Sequence, residues 1–157
     1  MKKHIRKHRR MSGITMVESL VALVVISVGM LGIAGMYLAS LQAGRSANLR
    51  VQAINLASDM ADHIRANANG AKFYKATASD KGESKDCATK SCLAEDLAKN
   101  DIFVWKHQIS EALPANANGQ LKFTDNARPT PDVCEVLVTW REPGADVDST
   151  YKAVVEL

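Results

Sequence analysis

The sequence predicts an α+β protein in which one long N-terminal helix, transmembrane in its first half and amphipathic in its second, packs on a small antiparallel β-sheet. Three observations predict it. No proline falls between Ile14 and Ala68, so nothing in that stretch removes a helical backbone donor. Within it the apolar residues change from continuous to periodic near Leu41. The last third changes again, to apolar residues at every second position.

The chain opens on Lys2, Lys3, Arg6, Lys7, Arg9 and Arg10, which make residues 1–13 strongly basic with no acid. That is the charge pattern of a segment that stays on the cytoplasmic side of a membrane. Residues 14–41 then exceed the ~20 residues needed to span hydrocarbon and carry one charge, Glu18. A charge near hydrocarbon costs ~3 kcal/mol or more on insertion scales, so it marks function and demands a partner. A cut between Gly13 and Ile14 supplies one: Ile14 gains a cationic α-amine and Glu18 becomes the fifth residue of the mature chain. Within one helix the carboxylate then lies a turn from the terminus, where the helix dipole favours it. Between staggered copies it meets a neighbour's amine instead.

The segment has two other readings. A secretory signal cleaved near Gly32-Ile33-Ala34 leaves half of a continuing apolar helix exposed on a soluble protein. An uncleaved anchor places Glu18 at the interface by snorkelling. Gly29, Gly32 and Gly35 each lower helix propensity by about 1 kcal/mol relative to alanine while letting other backbones approach. They fit ordinary membrane packing and equally a soft segment that partly unwinds as the subunit leaves the bilayer.

The run Gly13-Ile14-Thr15-Met16-Val17-Glu18-Ser19-Leu20-Val21-Ala22-Leu23 resembles the class III leader junction of type IV prepilins. The resemblance implies a prepilin peptidase that cuts after Gly13 and N-methylates Ile14, with Glu18 needed for assembly. Ile14 departs from the phenylalanine usual at the first mature position.

Removing residues 1–13 takes six of the 20 Lys and Arg and leaves 14 against 17 acids, a net charge of −3. The basicity of the full chain is thus a feature of its leader, and no basic stripe with interleaved aromatics remains to suggest nucleic acid as a partner. The sequence divides into a leader, 1–13, an anchor helix, 14–41, and a domain, 42–157, with room for one core.

In that domain Leu49, Ala53, Leu56, Ala57, Met60, Ala61, Ile64 and Ala68 step by three and four, predicting a helix over 42–68 that Asn67-Ala68-Asn69-Gly70 stops. Arg45, Arg50, Asp59, Asp62 and Arg65 take its polar side. Residues 69–114 form a connection: a polar surface loop with Phe73-Tyr74 as an anchor, then a second helix with Leu93, Leu97, Ile102, Trp105, Ile109 and Leu113 inward, ending near Pro114. Over 115–157 three or four strands follow. Leu121 and Phe123 alternate in the first, Cys134, Val136, Val138 and Trp140 share a face, and so do Tyr151, Ala153, Val155 and Leu157.

Three cysteines in a domain exported from the cytoplasm allow one disulfide and one thiol. Cys87 and Cys92 flank a short polar loop and are the expected pair. Cys134, on an inward face, is expected to be a buried, inert thiol. His63 and His107 stand alone and read as helix-surface residues; no nucleophile elbow, phosphate loop or metal spacing accompanies them, so no catalytic residue, metal or cofactor is expected.

Leu56-Ala57-Ser58-Asp59-Met60-Ala61-Asp62-His63-Ile64-Arg65-Ala66-Asn67 resembles the helix end of PilV-type minor pilins. The loop from Cys87 to Cys92, the Leu97, Asp101, Trp105 and Leu113-Pro114 pattern, and Val138-Thr139-Trp140 are similar to that subgroup too. The resemblance implies a subunit that primes or caps type IV pili, supporting twitching motility and adhesion. Implied partners are other minor pilins and the major pilin, prepilin peptidase, the inner-membrane assembly platform and membrane lipid. The implied location is the inner membrane, single-pass with a periplasmic domain, and after assembly the extracellular fibre. A type II secretion pseudopilin and a tethered periplasmic binding protein are the alternatives.

Overall fold

A computed structural model describes residues 15–157; Gly13 and Ile14, the expected cleavage pair, lie outside them. Helix α1 runs Met16–Ala66. Thr15 opens it: the Glu18 backbone N–H donates to Thr15 Oγ1 at 3.3 Å and that of Ser19 to the Thr15 carbonyl at 3.2 Å. Thr-x-x-Glu is the spacing of a capping box, in which a hydroxyl satisfies a helix donor that has no carbonyl to bond.

By contacts the chain divides between Leu41 and Gln42 into two compact units. In the first, the apolar side chains of α1 are exposed, and the helix contains an 18-residue window of mean hydropathy 2.3. A Cβ placed on Gly29, Gly32 or Gly35 meets nothing within 4 Å, so no contact inside the described residues requires glycine there.

The second unit holds the core. Leu49, Ala53, Ala57, Met60, Ala61 and Ile64 of α1 are buried, a stripe set by steps of three and four. Two members of the expected stripe differ: Leu56 is half-buried at the core margin and Ala68 is exposed, because α1 ends at Ala66 and Asn67 turns inward instead. The expected surface loop begins as a 3₁₀ helix, Ala68–Phe73. Asn67, just before it, ties the segment to the start of the second helix, its Nδ2 donating to the Ala94 carbonyl at 2.8 Å. Gly70 fits beside that amide, where a Cβ would lie 2.5 Å from Asn67 Nδ2 and 2.6 Å from the Ala94 carbonyl oxygen.

Helix α2, Ala94–Ala112, turns Ala98, Asp101, Ile102, Trp105 and Ile109 inward. Leu93, expected on that face, precedes the first turn and is 76% exposed. Trp105 joins the helices, its Nε1 donating to the Leu56 carbonyl at 2.9 Å. On its other side it abuts Gly119, where a Cβ would collide with the indole.

Strands β1, Asn118–Thr124, β2, Val133–Trp140, and β3, Ser149–Glu156, form an antiparallel sheet in the order β1-β2-β3. The register sets Leu121 opposite Val136, Phe123 opposite Cys134, and Val155 opposite Cys134 on the other side. Period-2 alternation thus carries Cys134, Val136, Val138, Trp140 and Val155 into the same core as α1 and α2. The outer edge of β1 is closed: Ala76 and Leu121 exchange backbone hydrogen bonds of 3.1 and 2.9 Å, and Lys106 Nζ donates to the Gly119 carbonyl at 2.6 Å.

Candidate functional site

Glu18 sits in the first turn of α1, exposed, where the helix dipole favours a carboxylate. Among the described residues up to Leu41 Glu18 is the one charged side chain, so α1 offers it no cation within the first unit.

The second unit holds two polar joints. At the C-terminal end of α1, Asp101 of α2 is buried and its Oδ2 accepts from the Tyr74 hydroxyl at 2.6 Å. Asn67 Nδ2 lies 3.3 Å from that hydroxyl, and His63 Nδ1 lies 3.6 Å from Asp101 Oδ1. Burial first, then the Asp101 hydrogen bond, raise the Tyr74 phenol far above its ordinary range. The phenol therefore acts as a fixed donor. This joins the end of α1, the 3₁₀ helix and α2. His63 lies on the surface of α1 as expected, half-exposed, but it is not alone there, since Asp59 Oδ2 is at 3.9 Å as well. His107 is exposed, 3.4 Å from Glu111.

The second joint ties α1 to the turn after β2. Arg50 Nε donates to Glu142 Oε1 at 2.7 Å, and Ser149 Oγ lies 3.4 Å from the same oxygen. The Arg50 hydrogen bond holds the Glu142 carboxyl below the usual carboxylate range. Gly144, at φ +81°, allows the turn that places Glu142 there. The sequence places Arg50 on the polar side of its helix and carries no local signal that Glu142 is its partner.

Cys87 and Cys92 are joined in a disulfide with Cα atoms 5.4 Å apart. Cys134 is a buried thiol, pushed up to about 11 first by burial and then by the charge of Glu135. Among the described residues no group of three or more His, Cys, Asp or Glu could hold a metal ion. Nothing here assembles a nucleophile with a base. The features that stand out are a lone acid at the head of an apolar helix and a small domain braced against that helix's second half.

Comparison with known families gives this arrangement its context. Residues 8–34 match the family described as a prokaryotic N-terminal methylation motif. Residues 35–103 match the family described as type IV pilin Tt1218. The two matches abut, covering the leader junction, all of α1 and the connection into α2. Together they support a type IV pilin with an N-terminal methylation motif. No curated protein and no solved structure matches it. As a pilin it is a structural, non-enzymatic protein. The methylation motif implies processing by prepilin peptidase and assembly into a pilus, and the apolar N-terminal helix, long and apolar enough to cross a membrane, is consistent with membrane anchoring before that step.

Proposed function

We propose that this pilin is a PilV-type minor subunit that primes or caps type IV pili together with other minor pilins and the major pilin. Prepilin peptidase cuts between Gly13 and Ile14 and methylates the new amine of Ile14. The protein waits in the inner membrane with residues 42–157 in the periplasm, then leaves for the fibre through the inner-membrane assembly platform. During extraction the Glu18 carboxylate pairs with the Ile14 amine of an adjacent subunit. Support comes from one observation above all: Glu18 is an acid within a methylation motif, at the head of an apolar helix that offers it no cation of its own. An unpaired carboxylate among lipid tails is costly, so the pairing favours stacked protomers over isolated ones.

The Glu18→Ala protein is expected to lose its leader normally yet be depleted at least tenfold from sheared filaments. Incorporation at the wild-type level contradicts the role given to Glu18. Capture from detergent-solubilised membranes tests the subtype: recovery with pilus subunits supports the minor-pilin reading, and recovery with secretion pseudopilins replaces it by a type II secretion role.

A further inference from the structure

We propose that the free edge of β3, with the hollow at its start, receives an extended acidic segment of a neighbouring pilin subunit; this rests on the assembly reading above. The hollow, of about 320 Å³, is lined by Arg50, Ile54, Trp140, Ser149, Thr150 and Tyr151. Five of these six bring side-chain donors, of which Arg50 and Ser149 each give one to the neighbouring Glu142 carboxylate, and Ile54 with the aromatic rings supplies an apolar wall. Trp140 is 4% exposed, and its Nε1–H finds no acceptor among the described residues. The indole of Trp105, by contrast, is bonded to the Leu56 carbonyl. A buried donor left unmet is destabilising, and native proteins rarely tolerate one without a use for it. Arg50 spends Nε on Glu142 but is 63% exposed, with further guanidinium donors on a fork suited to a carboxylate. The guanidinium donors that Glu142 leaves unused, together with the unmet indole N–H, suit the oxygens of a second carboxylate.

The strand edge decides what carries that group. β3 ends the sheet, and the Leu157 N–H donates to the Asp132 carbonyl at 2.9 Å as the rung after the strand. Antiparallel rungs alternate, so the odd residues of β3 bond to β2 while Thr150, Lys152, Val154 and Glu156 direct their backbone N–H and C=O groups outward. Val154 is 47% exposed beside them. The β1 edge is closed by Ala76 and Lys106, which leaves β3 as the side where a strand can add. Backbone pairing along β3 supplies affinity, and one carboxylate in the hollow, reaching Trp140 and Arg50, supplies selectivity.

The test uses the mature full-length protein in detergent micelles, labelled with ¹⁵N at tryptophan, which gives one indole resonance each for Trp105 and Trp140. The probe is the capped pentapeptide Thr-Val-Glu-Val-Thr, with its Glu-to-Gln counterpart and N-acetylglutamate as controls. The Glu peptide is expected to shift the Trp140 indole proton and leave that of Trp105 in place, while the Gln peptide shifts neither. Trp140→Phe, which keeps the ring and removes the donor, is expected to weaken peptide binding about tenfold, the scale of one hydrogen bond to a charged group. A silent Trp140, equal shifts by the Gln peptide, or an N-acetylglutamate affinity equal to that of the Glu peptide overturns the proposal. In cells, a photo-crosslinking residue at Thr150 is expected to capture a pilin subunit, and capture of only non-pilin proteins overturns the assignment of partner. The readouts separate cleanly from the assembly reading. Normal incorporation of Glu18→Ala sinks that reading and leaves the Trp140 shift standing, whereas a silent Trp140 with Glu18→Ala excluded sinks the docking alone.

Discussion

Tyr74 and Asp101 are polar residues held inside an apolar core, and each depends on the other. Removing the hydroxyl leaves the Asp101 carboxylate short of its closest donor while changing little volume. Tyr74→Phe is therefore expected to destabilise the protein by about 2 kcal/mol, read as a lower melting midpoint of the full-length protein in micelles. A wild-type midpoint contradicts the joint. Cys134 makes the opposite prediction, one of inertness. Its thiol is buried and pushed up to about 11, so at pH 8 almost no reactive thiolate exists and no reagent reaches it. Iodoacetamide is expected to leave Cys134 unmodified by mass until denaturant is added, and rapid native labelling contradicts its placement. The inward face of Cys134 was legible from period-2 alternation with Val136, Val138 and Trp140. The burial of Asp101 was not read, although its phase with Ala98, Ile102 and Trp105 places it on the inner row of α2.

Among the elements, α1 and the sheet are joined through a surface pair. Arg50 and Glu142 are far apart in sequence, yet they set the turn after β2 against the helix. Because the folded Glu142 carboxyl titrates below its ordinary value of 4.5, its contribution to stability is present above that value and is lost as pH falls through the depressed one. Thermal stability is expected to fall as the solution is acidified below about pH 5, and Glu142→Gln is expected to flatten part of that fall. An unchanged slope in the variant removes the clasp from the account. The disulfide closes so small a ring that its contribution is only about 2 kcal/mol in the chain-entropy model. The elements divide in how far sequence revealed them. The long helix and the strands followed from local periodicity. The tie between Asn67 and Ala94 beside the 3₁₀ helix did not, because the two are 27 residues apart and no local pattern encodes that bond. Leu93 misled for a related reason: step counting cannot separate a residue on a helix face from one just before its first turn.

For the whole molecule, the sequence carried its function at one end. A glycine and an acid at fixed offset stand at the head of an apolar helix, and the matched methylation motif, residues 8–34, covers Gly13, Glu18 and that helix's first half. The domain contributed little to that inference; its core residues specify packing, and packing is shared by proteins with different partners. What the sequence could not express was the meeting of Arg50, Trp140 and Ser149 around one hollow at a sheet edge, since that depends on the register between β2 and β3.

The account rests on the amine created at Ile14. Mass mapping of the amino terminus, on protein purified from cells with active prepilin peptidase, addresses it most directly. The expected result is a chain that begins at Ile14 with a methylated amine. A mature population that retains residues 1–13 in such cells contradicts the account.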